Sequence, residues 1–171
     1  GDRHTYKNFY RFLKAIAPIL SKYPSLHLVC AGGKEFSQQE TALMNNLSIR
    51  KKVVWYPITN ETLYHIYKNA LCFVFPSLYE GFGIPILESF FSGCPSVLST
   101  GGSLPEIGGD AAVYFDPYDE ESMRHCIENV IADESLRTKL REKGFQRLKE
   151  FSWMETARKT VEVYQRTIDS E

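Results

Sequence analysis

The sequence has no pair of cysteines at CxxC spacing. Cys30, Cys72, Cys94 and Cys126 are scattered, three of them in or beside apolar segments, so neither a disulfide framework nor a thiolate metal knuckle is indicated. They read as reduced core thiols. There is no D-x-D pair and no clustering of histidines, since His4, His27, His65 and His125 lie far apart and read as surface or satisfied side chains. No metal is therefore expected. No apolar run approaches the ~20 residues of a membrane span, and no charged stretch followed by an apolar one opens the sequence, so the segment as given is expected to be soluble. Positive charge is not in excess: 20 Lys and Arg stand against 21 Asp and Glu, for a net charge of -1, and they are interspersed. That balance argues against nucleic acid as a partner. No G-x-G-x-x-G follows an apolar run, which removes the main support for a dinucleotide-dependent oxidoreductase.

What is present suits one domain with a substantial core: 171 residues, 43% hydrophobic and 24% charged. Apolar residues recur at helical spacing from Asn8 to about Tyr23, and the short run SLHLVCA follows, ending at Gly32-Gly33. The alternation then repeats. A helix over Ser37 to Asn46 precedes the strand KVVWY, a helix capped by Asn60 precedes LCFVFP, and a helix from Pro85 precedes PSVLS. After a glycine-rich turn comes a short strand, AVYF, and from Asp119 the chain is helical: to about Ala132, again after Asp133, and again from a capping-box pattern at Ser152 to Glu155. Strands that are apolar almost throughout, separated by helices, predict an α/β domain: a Rossmann-like, doubly wound parallel sheet with helices on both faces and a helical C-terminus.

In such sheets ligands bind beyond the carboxyl ends of the strands. The loops to inspect are Gly32-Gly33-Lys34, Leu78 to Gly83, and Thr100-Gly101-Gly102-Ser103, all expected on one rim. In YEGFGIPILES, Gly81 and Gly83 permit positive φ and close approach of backbone to a ligand, and Pro85 suits the first turn of a helix whose N-terminus favours an anion. Glu80 and Glu88 can face one crevice and accept hydrogen bonds from a vicinal diol; equally, Glu80 can be solvated and Glu88 can simply complement the helix dipole. Arg3 and Lys7 could together grip a diphosphate, although isolated cations of this kind are commonly surface charges.

Taken in order, GDRHTYKN, LVCAGG, FPSLYEGFGIPILESFFSGCPSV, STGGSLPEIGGDAAVYFDPYD and FSW resemble the C-terminal, donor-binding half of a retaining glycosyltransferase of the GT-B fold, family 4 (group 1), over nearly the whole chain. The resemblance implies transfer of a hexose, with mannose the first candidate, from a nucleoside-diphosphate sugar to a saccharide or lipid-linked acceptor, as in surface polysaccharide synthesis. It implies no metal and no other cofactor. A non-catalytic nucleotide-sugar binding module is the alternative. Glu80 would contact sugar hydroxyls, Arg3 and Lys7 would neutralise the diphosphate, and Glu88 would hold the ribose diol. Gly81, Phe82, Gly83 and Ile84 would line the sugar and phosphate, Tyr56, Pro57 and Ile58 the base, and Gly102 with Ser103 the phosphates. The family pattern also carries an apolar strand and an acceptor-binding domain ahead of the Arg–Lys segment. The chain is accordingly expected to be one half of such an enzyme, to bind donor weakly and transfer nothing alone, and to present unpaired strand edges around an apolar gap that a homo-oligomer could fill. The implied location is the cytoplasm, with attachment to the inner face of the membrane an option for the parent protein.

Overall fold

Val97 and Leu98 are both fully buried, yet they belong to different hydrophobic clusters. Successive side chains of a strand point to opposite faces, so this split shows a sheet covered on both sides. The computed structural model describes residue 3 and residues 5–169, and among them five short strands alternate with helices. The strands are β1 (Leu28–Ala31), β2 (Val53–Tyr56), β3 (Phe73–Phe75), β4 (Ser96–Ser99) and β5 (Ala112–Phe115). The helices are α1 (Phe9–Lys22), α2 (Gln38–Asn46), α3 (Asn60–Asn69), α4 (Ile84–Phe91), α5 (Leu104–Gly108), α6 (Glu120–Ala132), α7 (Glu134–Leu148) and α8 (Trp153–Asp169). All pairings are parallel, Leu28 opposite Val53, Phe73 opposite Ser96, and Ser96 opposite Ala112.

One face is covered by α1 and α6, whose Phe12, Leu13, Ile16, Met123 and Ile127 pack with Val97 and Phe115. The other carries Ile86 and Phe90 of α4 with Phe75, Leu98 and Leu104, and α7 lies against α4. Each such side chain, fully removed from water, contributes roughly 1.5–3 kcal/mol. The expected doubly wound architecture is thus present. In β4 all four residues are buried, as a central parallel strand requires.

Several helix starts differ in detail from the sequence reading. Thr59, not Asn60, caps α3, because its side chain and that of Thr62 each accept from the other's backbone N–H. Pro85 is the second residue of α4, with Gly83 as N-cap in the left-handed region at φ 102°. Ser37 and Glu40 form a complete capping box at α2, whereas at α8 Ser152 Oγ accepts from Glu155 N at 3.4 Å. The short helix α5 went unforeseen, since Gly-Gly-Ser followed by Leu-Pro reads locally as turn. All four cysteines are free thiols. Burial pushes Cys30, Cys72 and Cys94 up to about 12, so they remain protonated at neutral pH.

The sheet is interrupted. Among the described residues β1 and β2 form one sheet, and β3, β4 and β5 form another. A cavity of about 950 Å³ lies where β1 and β3 face each other, and residues of both strands line it. The cavity lies at the point where the chain order reverses, where open α/β sheets place their ligands.

Candidate active site

Arg3 and residues 5–8 lie across the carboxyl ends of the strands and tie three of the following loops together. Arg3 Nη2 donates to the carbonyls of Lys34 and Glu35 beyond β1, at 2.6 and 3.0 Å. The Leu78 N–H beyond β3 donates to the Tyr6 carbonyl at 2.7 Å, and Asn8 Nδ2 donates to the Pro117 carbonyl beyond β5 at 2.7 Å. Asn8 adopts a left-handed conformation, φ 58°, to start α1, a geometry that asparagine tolerates.

The cation that reaches the glutamate loop is Lys7. Its Nζ lies 2.6 Å from Glu80 Oε1, and the two side chains are 23% and 14% exposed. The ammonium also sits 5.3 Å from the centre of the Phe75 ring. A partly desolvated pair of this kind is held more firmly than a surface ion pair, yet it stays open enough to exchange partners.

Arg3 is placed differently. Its Nε donates to Glu40 Oε1 at 2.8 Å, and its guanidinium lies beside the stacked Phe36 and Phe9 rings, 4.9 and 5.5 Å from their centres. With its side chain 11% exposed, most of the fork is committed to the protein interior, so Arg3 fastens the rim while Lys7 faces Glu80. Glu40 itself was missed. The S-x-x-E spacing of its capping box was visible, but nothing local indicates that the carboxylate also receives Arg3 from 37 residues away. Burial raises the Glu40 carboxyl, and the hydrogen bonds from Arg3 and Ser37 outweigh it, leaving the group below its usual value. A lowered folded-state value stabilises the protein above the unfolded carboxylate range and is lost as pH falls through the folded value. Glu40→Gln should therefore lower Tm most at neutral pH, with the gap to wild type closing in acid. A gap that is constant from pH 7 to 3 would show that the charge does not matter.

The Glu80 loop is clamped from below by the turn after β4. Ser103 Oγ donates to the carbonyls of Glu80 and Phe82, each at 3.0 Å, and Ser103 N donates to the Glu80 carbonyl at 3.1 Å. The Ser103 hydroxyl is thus spent on the loop. Gly101 and Gly102 are required by proximity: a Cβ at Gly101 would stand 2.3 Å from the Leu78 carbonyl oxygen, and one at Gly102 2.5 Å from that of Glu80. Gly81 contrasts with both, because a Cβ there would meet nothing within 4 Å. The backbone at Gly81 is open to an approaching molecule.

Glu88, the fifth residue of α4, lines the 950 Å³ cavity together with Arg3, Lys7, Ile58 and Pro85. Lys7 is the link between the carboxylates, pairing with Glu80 while bordering the same cavity as Glu88. The buried Tyr67, packed edge-on against Phe73 with ring centres 5.3 Å apart, was also missed. Burial first, then the adjacent Glu88 carboxylate, push its phenol above the usual value. A tyrosine in the middle of an amphipathic helix gives no local sign of such a neighbour. Ile58 is exposed at the cavity edge, and Tyr56 and Pro57 are exposed beside it. Phe82 and Ile84 turn their side chains to a second cavity of about 560 Å³ with Leu87 and Trp153, and Phe82 meets Phe151 edge-on at 6.1 Å. Any role they have near Glu80 rests on backbone.

Among the described residues no group of three His, Cys, Asp or Glu is assembled to hold a metal, and no helix is long and apolar enough to cross a membrane. His27, His65 and His125 are exposed, and His4 lies outside the described residues.

A family model described as glycosyl transferases group 1 matches residues 1–147. The chain is 39% identical over 107 residues to O-antigen chain mannosyltransferase B of Escherichia coli, covering 63% of this chain and 28% of that protein. It is 31% identical over 166 residues to an uncharacterized glycosyltransferase of Methanocaldococcus jannaschii, covering 95% of this chain and 43% of the relative. Among solved structures, sucrose-phosphate synthase from Thermosynechococcus elongatus superposes with a TM-score of 0.84 at 24% identity, over 99% of this chain and 44% of that one. The chain therefore spans between about a quarter and under half of the length of these proteins.

Proposed function

The chain belongs to the group 1 glycosyl transferases, and from that premise we propose that it is the donor-binding module of a retaining hexosyltransferase, holding a nucleoside-diphosphate sugar at the edge formed by Lys7, Glu80, Glu88 and the start of α4. The observation that carries this reading is the Lys7–Glu80 pair at the mouth of the cavity that Glu88 lines. Lys7 would exchange Glu80 for the diphosphate, and the released carboxylate would accept hydrogen bonds from the sugar. As the bond from the anomeric carbon to the diphosphate oxygen breaks, negative charge grows on the leaving group. Lys7 and the N–H groups opening α4 supply fixed positive potential there, so the reading assigns the countercharge to the protein and calls for no metal. Glu88 would take the ribose diol and Ile58 would border the base.

Mannose is the sugar of choice because the Escherichia coli relative is a mannosyltransferase. The acceptor, a saccharide or lipid-linked saccharide, would be held by parts of a longer protein, and the chain alone is expected to bind donor without transferring it. Titration calorimetry with GDP-, UDP- and ADP-linked mannose and glucose tests the proposal. One base should bind at least tenfold tighter than the others, with a further gain from the attached sugar. Binding by none of them would overturn it.

Tyr67 enters this reading as a positioning residue for Glu88. Tyr67→Phe keeps the ring that packs on Phe73 and removes only the hydroxyl. Without the hydroxyl beside Glu88 the carboxylate is held less firmly, so nucleoside affinity should fall while the ring packing on Phe73 is kept. Equal affinity in the variant would detach Tyr67 from the site.

A further inference from the structure

We propose, building on the donor-site reading above, that Phe151, which opens the FSW segment between α7 and α8, is a positioning residue: through the Phe82 ring it holds the Glu80 loop in the orientation that the donor sugar needs. Phe82 stands between Gly81 and Gly83, the second of them at φ 102°, so the backbone on both sides of it has little conformational restraint of its own. Its ring meets Phe151 edge-on, with centres 6.1 Å apart and planes at 88°. That contact is not ordinary core packing. Phe82 remains 44% exposed, so the pair removes little of it from water and instead fixes where the loop points.

Phe151 can serve as an anchor because it is itself fixed from behind. It packs against the cluster that contains Leu98, Leu104 and Ile107, its N–H donates to the Leu148 carbonyl at 3.2 Å, and the Arg147 guanidinium lies 5.2 Å from its ring centre. Arg147 is held in turn by α5: its Nε donates to the Ile107 carbonyl at 3.1 Å and its Nη2 to the Glu106 carbonyl at 2.5 Å. α5 begins directly after Ser103, whose hydroxyl holds the Glu80 and Phe82 carbonyls. The end of α7 therefore reaches the loop along two routes, through the Phe151 ring to Phe82 and through Arg147 and α5 to Ser103. In the free protein Lys7 also restrains the Glu80 carboxylate, but in the proposed exchange Lys7 turns to the diphosphate. From then on the orientation of Glu80 depends on Ser103 and on the Phe82–Phe151 pair. A sugar that must meet the carboxylate to within about 0.5 Å is thus sensitive to Phe151, whereas the diphosphate is not.

Calorimetry with a nucleoside diphosphate and the matching nucleotide sugar tests the proposal on the wild-type chain, Phe151→Leu, Phe82→Leu and the double variant. Hydrogen exchange at the Ser103 amide is measured on the same proteins without ligand. Leucine keeps apolar bulk against the cluster and removes the ring edge. Diphosphate affinity should stay within roughly twofold of wild type in all three variants, while the added affinity from the sugar falls about fivefold or more in each single variant and no further in the double. The Ser103 amide, which donates to the Glu80 carbonyl, should exchange about tenfold faster in both single variants, a larger factor than at the β4 amides. Val130→Ala is the control: it cuts into the cluster on the other face of the sheet and should lower Tm without changing the sugar-dependent gain or the Ser103 amide. Phe151→Leu with the full gain, or with gain and diphosphate affinity lost together, would overturn the positioning role, the second outcome by reducing Phe151 to packing. Unchanged Ser103 exchange would remove the brace whatever the ligand does. A wild-type chain that binds no nucleotide sugar, with Ser103 exchange accelerated in the variants, would overturn the donor-site reading and leave the brace on the loop in place.

Discussion

Gly101→Ala is expected to cost on the order of 3 kcal/mol and to lower Tm by roughly 6–12 °C, although it adds a single methyl group. The added Cβ would stand 2.3 Å from the Leu78 carbonyl oxygen and 3.0 Å from that of Ser77. Both obstacles are backbone, so no side chain can rotate away. Relief requires the turn after β4 and the loop after β3 to move apart. That movement would also strain the hydrogen bonds from Ser103 to the Glu80 and Phe82 carbonyls, so donor affinity should fall with stability. Gly81→Ala, only twenty residues earlier, is the control. Its Cβ meets nothing within 4 Å, and stability should change by no more than about 0.5 kcal/mol. If the Gly81 backbone meets the sugar phosphate, as the family resemblance implies, the methyl will obstruct the ligand instead, and affinity will drop at unchanged Tm. Thermal melts with and without nucleotide sugar separate the two outcomes. A Gly101→Ala protein as stable as wild type would show that the two loops are not in the contact described.

The alternation of apolar runs with helical segments sufficed to read the fold class, because parallel strands buried on both faces leave an unmistakable hydrophobic signature. The rim was legible too, since Gly32-Gly33, the Glu80 loop and Gly101-Gly102 each follow a strand. The partners of the charges were not. Arg3 and Lys7 are four residues apart and look interchangeable in the sequence, yet one is fastened to Glu40 and the other to Glu80. Their division depends on which loop each faces, a matter of tertiary placement. Tyr67 beside Glu88 is the same kind of case, a contact between α3 and α4 that neither helix encodes alone.

Removing Glu80 and removing Glu88 should have opposite effects on free nucleoside diphosphate. Glu88→Ala takes away the carboxylate assigned to the ribose diol, so nucleoside, diphosphate and nucleotide sugar should all lose about 1.5–3 kcal/mol, roughly a ten- to hundredfold or greater weakening. Glu80→Ala acts through Lys7. In the wild type the Lys7 ammonium is engaged at 2.6 Å by Glu80 Oε1, and a phosphate must compete for it. Without Glu80 the ammonium is free, so diphosphate should bind as well as before or better. The extra affinity contributed by the sugar should disappear, because its hydroxyls have lost their acceptor. Lys7→Ala should do the reverse, weakening diphosphate more than nucleoside and leaving Glu80 partly buried without its cation. Because the two groups share one interaction, the double variant will not show the sum of the single effects, and the coupling measured by the cycle reports the exchange of partners directly. Calorimetry on nucleoside, diphosphate and nucleotide sugar for wild type and the four variants decides the matter. If Glu80→Ala weakens free diphosphate as much as Lys7→Ala does, the carboxylate is not a competitor for the ammonium but its support, and the exchange on which the donor site is built does not occur.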